Sequence, residues 1–158
     1  MKGDEKILKS LDQLLAAELT AINQYMVHSE MCANWGYERL HEKVEKRAIQ
    51  EMNHAEKLIA RMIFLEGSPT VSRLNAINIG PDVAKQLEAD LAAEAQAIRD
   101  YNDAIQLADQ CNDAVTRELL EHVLKEEDEH VDWLEAQLDQ VRQMGLALYL
   151  SAQTCECK

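Results

Sequence analysis

Apolar residues recur every three or four positions through four long stretches of the chain, the spacing that places them on one face of an α-helix. The Gly and Pro residues, which end helices, lie between or outside these stretches. The pattern predicts four long helices and a short fifth one, at about residues 4–35, 37–66, 82–111, 113–144 and 146–151. We therefore expect an all-α fold.

The connection between the second and third predicted helices, from Gly67 to Pro81, is long for a helical bundle and has no clear periodicity. A segment of this length can span roughly 50 Å, and a 30-residue helix is about 45 Å long. The third helix can therefore begin at the end of the bundle opposite to where the second helix stops. We expect one domain over residues 1–158, a four-helix bundle with one long crossover. The apolar residues of the crossover should anchor it to the bundle surface: Val71, Leu74, Ile77 and Ile79.

Six polar residues interrupt the predicted apolar faces in two matching sets. Each set has a single Glu that is followed, after the same interval in both sets, by Glu-x-x-His. One constant offset along the chain therefore maps the first set onto the second. Tyr25 and Tyr101 are related by the same offset, so the chain is two copies of one unit. The six residues are Glu18, Glu51, His54, Glu94, Glu127 and His130.

A Glu and a His three positions apart lie on one face of a helix. Ionised carboxylates in an apolar interior cost several kcal/mol each unless they are paired. Two divalent cations would balance four carboxylates, and this oxygen-rich set favours iron or manganese over structural zinc. Glu51 and Glu127 are the expected bridging ligands. The alternatives are hydrogen-bonded buried groups, or surface groups whose helical phase is misjudged.

Four further residues are candidates for supporting roles. Tyr25 and Tyr101 lie two turns from Glu18 and Glu94, where either hydroxyl can hydrogen-bond a ligand or donate an electron. For Tyr101, an ordinary core aromatic with its hydroxyl hydrogen-bonded is at least as good an interpretation. A metal-bound His usually has a partner on its other ring nitrogen. The candidates are Gln50 for His54 and Glu126 for His130, each four residues before its His.

Composition narrows the class of function. Hydrophobic residues make up 47% of the chain but aromatic residues only 4%, which suits helices packed through Ala, Leu and Ile. The net charge of −13 argues against nucleic acid as a partner. It can attract cations, or serve only solubility.

Targeting signals and cysteine usage both indicate the cytoplasm. Residues 1–9 lack the apolar core of a signal peptide, and no apolar run reaches the length of a membrane span. We therefore expect no membrane association. Cys32 and Cys111 are isolated, and Cys155 and Cys157 form a terminal Cys-Glu-Cys without a Cys-x-x-Cys pair. Reduced thiols in a cytoplasmic protein are the simplest interpretation.

The second predicted helix is apolar on two sides. Besides its core face it carries a second strip, formed by Ile49, Met52, Ile59 and Ile63. A helix that is apolar on two sides is buried on two sides, so we expect this strip to contact another subunit.

Taken together, several short motifs resemble those of the bacterioferritin family over nearly the whole chain. They are Met-Lys-Gly-Asp at the start, Ala21-Ile-Asn-Gln-Tyr25, Asn34-Trp-Gly36, Glu51-Met-Asn-His-Ala55, Phe64-Leu-Glu-Gly67, Asn78-Ile-Gly80, His130-Val-Asp-Trp-Leu-Glu135 and Met144-Gly-Leu146.

The resemblance implies that residues 1–158 form one ferritin-like di-iron domain, and that about 24 copies of it build a hollow homo-oligomeric cage. Such a cage oxidises Fe²⁺ with O₂ or H₂O₂ and stores a ferric mineral. It implies that the six residues form the ferroxidase di-iron centre, with Tyr25 beside it. It also implies that Met52 binds a non-covalent b-type haem shared between two subunits of a dimer. The haem would assist iron release, with a ferredoxin-type protein as the electron donor.

The sequence departs from the family pattern near the inner mouth of the centre. Lys46 and Gln50 stand where family members often carry His and Asp, and Glu45 stands where a Tyr is common. These changes leave the route of iron to the cavity open. The Cys-bearing tail also differs from the family.

Two rival functions remain on sequence grounds. One is a di-iron or di-manganese redox enzyme that stores no mineral. The other is a haem-bridged structural or electron-transfer subunit of a mixed cage. The intact six-residue set argues against the second rival, and Met52 with the short last helix argues against the first.

Overall fold

The computed structural model describes residues 1–154 of the chain. Five α-helices and no strand occur in that range. The all-α bundle with a short fifth helix is therefore confirmed. The helices are α1 (Glu5–Asn34), α2 (Glu38–Phe64), α3 (Val83–Gln110), α4 (Ala114–Met144) and α5 (Leu146–Ser151).

Local sequence signals account for the observed helix ends. Asp4, Asp82 and Asp113 each accept a hydrogen bond from a backbone N–H in the first turn of the helix they precede, which satisfies a donor that lacks an intrahelical partner. Gly36 and Gly145 follow α1 and α4 with φ of 81° and 82°, a conformation that L side chains rarely adopt. These residues explain why the predicted and observed boundaries agree closely.

The bundle consists of two helical hairpins, α1 with α2 and α3 with α4, and α1 also packs against α3. One apolar cluster fills the end of the bundle that contains the start of α1, and a second fills the opposite end. On every long helix the six predicted polar residues lie between the residues of these two clusters. The candidate site is therefore at mid-height, closed at both ends by packed side chains.

The crossover runs the length of the bundle as expected, because α2 ends in the first cluster and α3 begins in the second. The predicted apolar anchors are wrong: Val71, Leu74, Ile77 and Ile79 are all exposed. Polar contacts hold the segment instead. Its backbone N–H groups at Thr70, Asn75, Asn78 and Gly80 donate to side chains of α1 at 2.8, 2.8, 3.1 and 3.0 Å. The acceptors are Asp12, Thr20, Gln24 and His28.

The polar groups of an extended backbone need hydrogen-bond partners, and in this crossover the bonded N–H groups point inward, toward α1. That orientation leaves the apolar side chains facing outward, where a second chain can cover them.

Within residues 1–154, none of the helices is both long and apolar enough to cross a lipid bilayer. Cys32 is a buried free thiol and Cys111 a partly buried one. Cys155 and Cys157 lie outside the described residues.

Candidate metal centre

The structure brings the six predicted polar residues together, and all six side chains are buried. Their ligand atoms form two groups in which every atom lies within 4.8 Å of the others. The first half-site contains Glu18, Glu51, His54 and Glu127, and the second half-site contains Glu51, Glu94 and His130. Glu51 belongs to both, as a bridging ligand would.

Both imidazole rings turn the same nitrogen, Nδ1, toward the carboxylates. His54 Nδ1 lies 3.1 Å from Glu51 Oε2 and 2.9 Å from Glu127 Oε1. His130 Nδ1 lies 2.7 Å from Glu94 Oε1. The helical spacing of Glu-x-x-His produces this orientation on α2 and again on α4.

The two tyrosines connect the repeated halves of the chain. Tyr25 on α1 donates its hydroxyl hydrogen bond to Glu94 on α3, and Tyr101 on α3 donates to Glu18 on α1. Burial raises the pKa of both hydroxyl groups, and the carboxylate beside each raises it further. Each hydroxyl therefore keeps its proton and fixes one carboxylate in place.

Neither expected pairing of a histidine with the residue four positions before it occurs; Glu126 contacts His54 instead of His130. Its Oε2 lies 2.5 Å from Nε2 of His54, on the neighbouring helix. This contact holds the ring so that Nδ1 faces the cluster. Gln50 instead accepts a hydrogen bond from Arg47, at 2.9 Å.

Arg47 is a member of the cluster to which the sequence analysis gave no role. Its side chain is only 5% exposed, and Nη2 lies 2.6 Å from Glu51 Oε1 and 2.7 Å from Glu127 Oε2. Glu94 Oε2 is 3.5 Å away. A sequence signal existed, because the repeat pairs Arg47 with Val123, so the charge of Arg47 interrupts both the apolar face and the internal repeat.

Two buried carboxylate oxygens have unused bonding capacity. Glu51 Oε1 and Glu127 Oε1 have no partner of hydrogen-bonding geometry. Each lies within ion-pair distance of a nitrogen, of Arg47 and His54 respectively, but at an unsuitable angle. Buried oxygens without a hydrogen bond are costly, and a metal ion would satisfy them. The residues present therefore fit a pair of divalent cations.

Comparison with known proteins agrees with this donor set. A family model described as a ferritin-like domain matches residues 8–144. A bacterioferritin of Brucella melitensis biotype 1 is 40% identical over 149 residues, which cover 94% of this chain and 92% of the relative. A bacterioferritin of Rhodobacter capsulatus is 39% identical over 155 residues, 96% of each chain. Bacterioferritin BfrA of Mycobacterium tuberculosis is 39% identical over 149 residues, 94% of each chain.

The chain belongs to the bacterioferritin family. Membership supports a role in iron storage. It also allows the residues at the two openings of the metal centre to be compared with the family pattern.

Openings reach the centre of this bacterioferritin-family chain from two sides of the bundle. A pocket between α1, α3 and the crossover has alanine as its commonest lining residue, and its lining includes the four carboxylates of the centre. A smaller pocket between α2 and α4 reaches Arg47 and His130. The small side chains of the first pocket leave room for an ion to approach the cluster, so we expect metal to arrive from that side. The four carboxylates are Glu18, Glu51, Glu94 and Glu127.

Two of the family departures noted in the sequence, Lys46 and Gln50, line the smaller pocket together with Lys43. Glu45 is exposed and lies 3.2 Å from His41. Lys43 lies over the ring of Trp133, with 5.4 Å from Nζ to the ring centroid. The ammonium groups of Lys43 and Lys46 therefore stand at this mouth of the centre.

Protons are concentrated in the first half-site. Burial and the charges of Glu18 and Glu94 raise the pKa of Glu51 well above its usual range. Burial and the charge of Glu51 raise the pKa of Glu127 to about 10. Burial opposes protonation of His54, but its hydrogen bonds to the carboxylates of the cluster outweigh burial and raise its pKa to about 12.

The second half-site behaves in the opposite way. Burial alone would raise the pKa of Glu94, but hydrogen bonds to Glu127 and His130 and the charge of Arg47 lower it below its usual range. Burial lowers the pKa of His130. Glu94 and His130 therefore present a carboxylate and a neutral imidazole, the forms that bind metal.

Metal binding should release protons, because Zn²⁺ needs both ligands deprotonated while the pKa values of Glu127 and His54 keep them protonated at neutral pH. We expect at least about two protons per chain at about pH 7, because the pKa of Glu51, a further ligand, is raised as well. Affinity should then fall about tenfold for each displaced proton per unit decrease in pH. Calorimetry of Zn²⁺ binding in buffers of different ionisation enthalpy measures both quantities.

Protein already saturated with Zn²⁺ is the control for that measurement. An affinity that stays constant from about pH 6 to about pH 8, with no protons released, would contradict these proton positions.

Proposed function

We propose that this bacterioferritin-family chain is an iron-storage subunit with ferroxidase activity. It binds two Fe²⁺ ions at the six-residue centre, oxidises them with O₂ or H₂O₂, and stores the ferric product in a cage of about 24 copies. Iron is the substrate in this proposal. The cytoplasm, where thiols stay reduced, is the expected location.

The observation that carries the proposal is the pair of half-sites that share Glu51. Two ions held side by side can each give one electron to a single oxidant. The two electrons together reduce O₂ to H₂O₂, or H₂O₂ to water, without a one-electron oxygen radical. Four carboxylates also favour the higher charge of the ferric product, while the ligand set leaves out thiolates that would themselves be oxidised.

The remaining residues of the centre position these ligands. Tyr101 and Tyr25 hold Glu18 and Glu94 by hydrogen bonds, and Glu126 holds His54. Tyr25 is also a candidate electron donor, since its hydroxyl contacts a ligand directly.

We further propose that Met52 binds a b-type haem at a twofold contact between two subunits. The chemistry of the site fits: the Met52 side chain is 45% exposed, and the exposed Ile49 and Ile63 lie on the same helix. Ile59 is partly buried against the core. A thioether among apolar side chains suits a haem iron. When bound, the haem would supply one-electron transfer for iron release, with a ferredoxin-type protein as the donor.

The crossover also carries exposed apolar residues, which suits burial between copies of the chain. The two rival functions make different predictions about iron. A di-iron or di-manganese redox enzyme would bind two metals per chain and build no mineral. A haem-bridged subunit of a mixed cage would bind haem and oxidise no iron by itself.

Aerobic loading of the metal-free protein with Fe²⁺ separates these possibilities. Gel filtration follows, with iron and protein measured across the peak. We expect iron far above two ions per chain in a very large particle, and little iron uptake by protein saturated with Zn²⁺. Iron that stops at two per chain would indicate the redox enzyme. Absence of bound iron would contradict the six-residue centre.

A further inference from the structure

Arg47 divides the metal centre unequally. Its Nη2 contacts Glu94, which belongs only to the second half-site, Glu51, which both share, and Glu127 of the first, but it makes no ion pair with Glu18. On Glu51 and Glu127 it contacts the oxygens opposite to those that face His54 Nδ1 of the first half-site. The guanidinium occupies one oxygen of Glu127, and Glu127 is absent from the second group of potential ligands while it belongs to the first.

The asymmetry originates in the sequence repeat. The two halves of the chain match at each of the six ligands under one constant offset, but Arg47 is matched by Val123. Val123 is fully buried in the apolar cluster beside the first half-site. One half-site is therefore flanked by a hydrocarbon side chain, and the other by a permanent cation, since a guanidinium does not deprotonate in proteins.

Charge balance gives this difference a consequence. Two divalent cations alone would neutralise the four carboxylates of the centre. Arg47 already supplies one positive charge to three of those carboxylates, including Glu51 and Glu94 of the second half-site. A metal ion in the first half-site does not displace Arg47 from Glu94, whereas an ion in the second half-site meets a like charge at close range.

We infer that Arg47 is an internal competitor for the second half-site, so that the two metal positions of the centre fill one after the other. This inference rests on the proposed function, because it concerns the order in which that centre is loaded. It makes Arg47 a residue that determines affinity and not a ligand.

The α2–α4 pocket offers Arg47 a place to go when a metal displaces it. Nη1 already donates to Gln50 Oε1 at 2.9 Å on that side. The carboxylate groups of Glu126 and Glu129 line the same pocket. The guanidinium can therefore exchange its carboxylate partners inside the centre for others at the mouth, beside Lys43 and Lys46.

Calorimetric titration of the metal-free protein with Zn²⁺, which is not oxidised, tests the inference. For the wild type we expect two ions per chain, the second bound at least about tenfold more weakly. Arg47→Gln removes the charge and should tighten the second ion at least about tenfold, with less than about a threefold change in the first. Lys9→Gln, which removes a charge of the same sign from an exposed position on α1 outside the α2–α4 pocket, should change neither.

Arg47→Lys keeps the charge but loses the planar fork, so it should tighten the second ion by a smaller factor. If Arg47→Gln does not fold, the titration of Arg47→Lys tests the inference in its place. Equal affinities for both ions in the wild type overturn the inference, as does a second affinity that Arg47→Gln, or Arg47→Lys in its place, leaves unchanged or weakens. The proposed function would survive those results, provided that two ions bind. Failure of wild-type protein to bind Zn²⁺ would contradict the proposed function itself.

Discussion

Replacing Glu127 by Gln should lower the initial rate of Fe²⁺ oxidation by at least about 100-fold, because loss of a group that merely supports a ligand costs about 10- to 100-fold. Glu127 reaches the first half-site with one oxygen and Arg47 with the other. Its amide replacement cannot balance the charge of a metal. Stopped-flow absorbance of the ferric product, after Fe²⁺ is mixed with metal-free protein in air, measures the rate.

The substitution should leave the metal-free fold almost intact. The pKa of Glu127, about 10, means that it is a neutral acid at neutral pH, and Gln has nearly the same shape and the same lack of charge. We expect the free energy of unfolding to change by less than about 1 kcal/mol. Glu118→Gln is the matched control, since it makes the same substitution at an exposed position on the same helix that is not a ligand. An unchanged rate in Glu127→Gln, or an equal loss in the control, would argue against the centre.

The repeat in the sequence was sufficient to predict the candidate centre, because helical spacing and the bundle constrain it strongly. Glu51 with His54, and Glu127 with His130, are on one face of their helices by spacing alone. Single carboxylates at Glu18 and Glu94 must then face them at the same height if the bundle is regular. The crossover length determined the direction of the third helix for the same geometric reason.

Contacts across the bundle were not predictable in this way. The constant offset of the repeat showed that Tyr25 and Tyr101 are equivalent, but not that each bonds a carboxylate on the opposite helix. That pairing depends on the rotation and height of α1 relative to α3. Arg47 was likewise visible on a core face, and its role became evident only when three carboxylates from three helices surrounded its guanidinium.

The crossover shows a different limit. Hydrophobic residues are expected to turn inward, and Val71 and Leu74 do not. In an extended segment without a sheet partner, buried backbone N–H groups need acceptors, and α1 offers Asp12 and Thr20. Within one chain, hydrogen bonding of the backbone N–H groups therefore outweighed burial of the apolar side chains. Those side chains remain available for contact with a second chain. The pattern of apolar residues in the sequence does not show which of these two effects is larger.

Replacing Met52 by Leu should abolish haem binding and leave iron oxidation unchanged. Each haem in the proposed dimer is held by Met52 and by the partner's Met52, so one substitution removes both sulfur ligands. A loss of only about 1.4 kcal/mol lowers affinity tenfold, and two iron–sulfur bonds should exceed that. Haem content, measured from the absorbance of protein expressed with excess haem precursor, should therefore fall below about a tenth of wild type.

The neighbouring ligand explains why oxidation should survive. Glu51 precedes Met52 in the chain, but its side chain points into the core while that of Met52 is 45% exposed on another face of α2. Leu keeps the size and apolarity of that face, so subunit contacts should persist. Met144→Leu is the matched control, because it removes a thioether of similar exposure, 42%, at the end of α4. Haem retained at the wild-type level in Met52→Leu would place the group elsewhere, whereas equal haem loss in both variants would indicate a general effect on assembly.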